Sequence, residues 1–215
     1  MKNSRTTRAA FLAAGAGGAM LAASARASAA ATLDLHELES ILRKSARHKT
    51  LIAATKVDYG IPLHHAANVL NAFEDTYHEG RGAIRVACVF YGTSLVAALS
   101  DAMWGKFHLF DVLAQAQDGL PMMLHTPQNP FLRANPAAGR EDASIETLLR
   151  RGVAVIVCNN ALTTLAKAIA QNQQADAARI HDELAQNLVP GAVLVPAGVA
   201  AIVLAQEAGY TYLGA

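Results

Sequence analysis

The amino-acid sequence predicts a three-layer α/β/α domain, an open and mainly parallel sheet with helices on both faces. Short apolar runs rich in branched residues recur along it, among them T-L-I-A-A-T-K-V (50–57), A-I-R-V-A-C-V-F-Y-G (83–92) and V-A-V-I-V-C (153–158). Continuous runs of this kind mark strands buried on both faces, as in parallel sheets. Between them lie segments whose apolar residues recur at helical spacing. The length, 215 residues, suits one domain with a sizeable core.

The elements follow in order. In D-L-H-E-L-E-S-I-L-R-K-S-A-R-H (34–48), Leu35, Leu38, Ile41 and Leu42 share one helical face, and acids precede bases in the order the helix dipole favours. A helix is therefore predicted within an N-terminal segment, 30–49, ahead of the domain proper at 50–215. The first strand covers 50–57 and ends in the turn D-Y-G-I-P. Pro62 suits a first helical position, and a helix from there to a stop at Gly80 would bury Leu63, Ala66, Ala67, Leu70, Phe73 and Tyr77. His64, Asn68, Asn71, Asp75 and His78 fall on its opposite face. The second strand, 83–92, leads into a helix over 94–103. Residues 104–143 read as an insertion: Leu109, Val112, Leu113 and Ala116 suggest one short helix, and the proline-rich remainder a long surface loop or lid. In S-I-E-T-L-L-R-R-G, Ser144 is a helix cap and Gly152 a stop. The third strand ends at Cys158 and continues as helix, another helix covers 175–187, and A-V-L-V-P-A-G-V-A-A-I-V-L-A-Q-E-A-G-Y-T-Y-L supplies strand, helix and final short strand.

The first 29 residues have the layout of an export signal: Lys2, Arg5 and Arg8, then an Ala/Gly-rich apolar run, then A-x-A sites ending at Ala27, Ala29 or Ala31. T-R-A-A-F-L (7–12) is similar to a twin-arginine signal with Ala9 in place of the second arginine, so both that route and general secretion stay open. The apolar run falls short of the roughly 20 residues a bilayer span needs. Cleavage would remove four of the 18 basic residues and none of the 17 acidic ones, leaving 14 against 17. A slightly acidic, exported domain with no basic cluster argues against nucleic acid as a partner. In an oxidising compartment Cys88 and Cys158 could form a disulfide, stay buried, or include one functional thiol, and the sequence leaves these open. Cys88, inside a strand, reads as a packed small apolar residue.

In open parallel sheets the ligand crevice forms beyond the carboxyl ends of the strands. Those ends hold Asp58 to Pro62, Tyr91 to Ser94, Cys158 to Asn160 and Pro196 to Gly198. The candidate residues are therefore Cys158 for chemistry, with Asn159, Asn160, Tyr91, Gly92 and His64 for binding. A thiol at a helix N-terminus meets the positive end of the dipole and free N–H donors, the setting in which cysteines become nucleophiles. Asn159 or Asn160 would cap that helix or hold an anion. Whether Cys158 is reactive or only the last packed residue of its strand stays open on these grounds. His64 and His65 are neighbours on a helix, about 100° apart, so both cannot readily bind one metal. Met122, Met123 and His125 read as loop packing rather than soft-metal ligands. No G-x-S-x-G, phosphate loop, H-E-x-x-H or dinucleotide fingerprint occurs, and no metal or cofactor is expected.

V-A-V-I-V-C-N-N-A-L, the short helix ending R-R-G before it, and the closing P-G-A-V-L-V-P-A-G-V-A-A-I-V-L-A-Q-E-A-G-Y-T-Y-L resemble the DsrE/DsrF-like (YchN-like) family of small sulfur-relay proteins. The resemblance runs from Thr50 to the C-terminus outside the insertion. It implies a doubly wound, flavodoxin-like α/β/α fold, assembly as a homo- or hetero-oligomer, and a persulfide-carrying cysteine at the position of Cys158. An exported sulfur carrier exchanging sulfur with a donor or acceptor protein is then the first expectation. The second is a noncatalytic module that binds a small molecule or a partner through the rim and the insertion.

Overall fold

The computed structural model describes residues 36–116, 126–135 and 141–215. The export signal expected over 1–29, and Met122, Met123 and His125 of the insertion, lie outside those residues. The strands are β1 (His48–Ala54), β2 (Ile84–Phe90), β3 (Ala154–Cys158), β4 (Ala192–Val195) and β5 (Thr211–Gly214). The helices are α1 (36–42), α2 (Ile61–Asn71), α3 (Asp101–Phe107), α4 (Leu109–Gln115), α5 (Ile145–Arg150), α6 (Asn159–Gln173), α7 (Ala177–Gln186) and α8 (Gly198–Glu207).

Among the described residues the sheet has five strands, all parallel, in the order β4-β3-β2-β1-β5. Side chains alternate between the two faces, and the alternation builds two cores. On one face Ile52, Cys88, Phe90, Val155 and Val157 pack against α2 to α7. On the other, Leu51, Ala87, Val89, Ile156, Val193 and Val195 pack against Leu38 and Leu42 of α1, Ala201 and Ala205 of α8, and Tyr210. The three-layer α/β/α fold is thus the one expected, with a sheet that is wholly parallel.

Several element boundaries differ from expectation, each for a local reason. The first helix stops at Leu42 and the strand begins at His48, because Lys49 reaches back: its Nζ donates to the carbonyls of Leu42 (3.2 Å) and Ala208 (3.0 Å). One lysine thereby caps the ends of both α1 and α8. The helix expected to run to Gly80 is α-helical only to Asn71 and widens into a π turn over Ala72–Thr76. That turn shifts the helical phase, so Tyr77 is 63 % exposed instead of buried. The helix expected over 94–103 is a 3-10 run, Gly92–Ala98, followed by α3. Buried Ser94 pins the start of that run, donating to Ala54 O (2.5 Å) and Tyr91 O (3.0 Å).

Nor is the insertion simply a surface loop. It contains α4 as expected, but residues 126–135 turn inward, burying Asn129, Phe131 and Leu132. Asn129 Nδ2 donates to Ala97 O (2.8 Å) and Leu99 O (2.7 Å), its Oδ1 accepts from Phe131 N (2.9 Å), and Phe131 packs against Trp104 at 6.1 Å between ring centroids. Proline punctuation marked this stretch as irregular, and irregular backbone is buried here because one asparagine satisfies it.

Candidate functional site

Strands β1 to β4 step across the sheet in one direction, and their connecting helices all lie on one face. After β4 the chain crosses the opposite face through α8 to reach β5. The neighbours β3 and β4 therefore send the chain to opposite faces, the arrangement of a topological switch point, where open α/β sheets bind ligands. Cys158 ends β3 and Gly198 begins α8, so both stand at this switch point.

Cys158 follows Ile156 in the strand alternation, which turns its side chain toward α8. It is 6 % exposed, whereas Cys88 is fully buried. Gly198 packs directly over it: a Cβ there would lie 3.0 Å from Cys158 Cβ, 3.0 Å from Tyr91 Cβ and 3.3 Å from Val89 Cγ1. The pairing of Phe90 with Val157, carried one residue further, sets Tyr91 beside Cys158 across the strands. Cys158, Tyr91 and Gly198 thus form one close cluster. Partial burial, and after it the neighbouring Tyr212 phenol, hold Tyr91 above the usual tyrosine range, so it is a neutral O–H donor at ordinary pH.

The two cysteines are free. Cys88 pairs in register with Val155 and belongs to the core on the opposite face from Cys158. Three residues along a strand is about 10 Å, well beyond the roughly 7 Å limit for the Cα atoms of a disulfide. Burial pushes the Cys88 thiol up to about 12, and Cys158 is the less deeply buried of the two.

The asparagines do not cap α6. Cys158 occupies the N-cap position without a side-chain cap bond, and both asparagines already belong to the helix. Asn159 Oδ1 instead meets Nε2 of His181 on α7 at 2.7 Å, tying the two helices together. Asn160 is exposed and lines a cleft on the α6 face of the sheet. Gly92 lines the same cleft; at φ 75° a Cβ would sit 2.6 Å from Thr55 O, so only glycine fits there. His64 lies half-buried on the first turn of α2 and lines neither this cleft nor the Cys158 cluster. The candidate residues therefore divide between the two sides of the sheet: Cys158 and Tyr91 toward α8, Gly92 and Asn160 toward α6.

Gly198 is the site residue that sequence reasoning passed over. The V-P-A-G stretch marked the rim, but nothing in it indicates which side chains the glycine must clear. Among the described residues no three His, Cys, Asp or Glu side chains converge as metal ligands. No helix of the described residues is long and apolar enough to cross a membrane.

No protein family and no curated protein matches the chain. Among solved structures it is similar to MTH1491, a protein of unknown function from Methanobacterium thermoautotrophicum. The two share 16% identity over 78% of this chain and 99% of that one, with a TM-score of 0.39.

Proposed function

We propose that the protein is an exported DsrE/DsrF-like sulfur carrier in which Cys158 accepts and passes on a sulfane sulfur. The observation that carries this reading is the position of Cys158: a free thiol at the start of α6, at the switch point between strands whose connections part to opposite faces. The form of the sulfur that takes part in such exchange is the thiolate. In the transfer step the Cys158 thiolate attacks the outer sulfur of a donor persulfide. A new S–S bond forms at Cys158 as the donor's S–S bond breaks, and the donor sulfur leaves as a thiolate with the bonding pair. No net oxidation occurs, and an acceptor thiolate removes the sulfur by the same exchange.

In this reading the chain works outside the cytoplasm and as a homo-oligomer. Val199 and Val203 on α8 and Tyr212 on β5, each more than half exposed, are apolar surface for contact between copies. The test is incubation with glutathione persulfide followed by intact-mass measurement. The parent and Cys88→Ser are expected to gain one sulfur atom and Cys158→Ser none; equal gain by Cys158→Ser refutes the reading.

A further inference from the structure

We infer that the cleft on the α6 face is a binding site for an uncharged, largely apolar small molecule. It lies between the 3-10 run Gly92–Ala98, α4 and α6, with a volume of about 550 Å³. That is within the usual range for small-molecule sites, roughly 300–1,000 Å³. Its walls are apolar: Leu95, Val96, Val112, Leu113, Ala161 and Leu165. None of the described residues lining it is ionisable, so a charged ligand would be desolvated with no counter-charge. Thr93 and Gln115 place one polar group on each of the other two walls, and α6 carries a row of them. Asn160, Thr164 and Asn172 sit at positions on α6 that repeat at multiples of four, one row along the helix, and Thr164 Oγ1 is bonded to Asn160 O (3.0 Å). Two carboxamides at either end of the row are left to pair with a hydroxyl or carbonyl on the ligand's edge. The cleft opens at the carboxyl rim of the sheet, where Gly92 lets the backbone after β2 turn close against Thr55.

The inference is independent of the persulfide reading, since Cys158 faces α8 on the other side of the sheet. Titration of the full-length protein with the neutral dye Nile red tests it. The expected result is saturable one-to-one binding with blue-shifted emission, unchanged in Cys158→Ser. Ala168→Trp and Thr164→Trp, at exposed positions on the cleft wall, are expected to weaken binding at least tenfold with an unchanged melting temperature. The inference is overturned if the parent shows no saturable binding, or if both tryptophan variants bind as tightly as the parent. It is equally overturned if Val203→Asp, on the exposed face of α8, removes the dye while the tryptophan variants do not.

Discussion

Replacing Gly198 with alanine tests the packing over Cys158 directly. Gly198 does not have a positive φ, so the backbone accepts alanine, and loss of glycine's chain entropy would by itself stabilise the start of α8 by up to about 1 kcal/mol. Opposing this, the added methyl would stand 3.0 Å from two Cβ atoms, those of Cys158 and Tyr91, and 3.3 Å from Val89 Cγ1. Cβ atoms on sheet strands cannot rotate away, so the start of α8 must lift by several tenths of an ångström. Overpacking of this kind costs about 1–3 kcal/mol. The steric cost wins, and the expected net loss is about 1–2 kcal/mol. For a domain of this size that lowers the melting temperature by about 2–4 °C per kcal/mol. Urea unfolding measures the loss, and maleimide labelling gives a second readout, because lifting α8 exposes the 6 % exposed Cys158. The variant should label faster than the parent. Unchanged stability together with unchanged labelling would refute the packing argument, and a gain in stability would show that α8 yields freely.

Cys88 predicts a pH dependence. Its thiol is raised by burial from the ordinary 9.0 to about 12, so between those values the unfolded chain releases a proton that the folded chain keeps. Stability is therefore undiminished below pH 9 and falls toward pH 12, by about 4 kcal/mol at 1.36 kcal/mol per unit. Cys88→Ala should lose that part of the alkaline slope in urea unfolding at stepped pH, and a slope identical to the parent's would contradict the burial argument. Asn129→Ala strands two carbonyls and one N–H in the core at about 1–3 kcal/mol each, so a loss of at least about 3 kcal/mol is expected by chemical denaturation. A loss below 1 kcal/mol would mean water reaches residues 126–135.

The layers of the fold were legible because burial on both faces writes itself into the chain as unbroken runs such as V-A-V-I-V-C. The ends of the strands could be placed, and with them the rim, because Gly92, Gly152 and Gly209 sit at turns that need positive φ. Helix phase was harder to read. The π turn at Ala72–Thr76 has no local period to announce it, and the 3-10 run at Gly92–Ala98 is pinned by the bond of Ser94 to Ala54, 40 residues away. Asn159 looked like a cap because asparagine is a good one, yet His181, 22 residues away, claims its side chain.

By itself the sequence determined that this is a parallel α/β domain, and that Cys158 ends a strand and Cys88 lies within one. Which face each thiol meets was decided only by tertiary structure. Alternation along a strand says that two residues point oppositely, but not which helices cover each side; that depends on the strand order, and β5 returns to the far edge only through α8. The return across the second face places Gly198 over Cys158 and Tyr91, leaves Gly92 and Asn160 at a separate cleft, and divides one apparent rim between the two faces of the sheet.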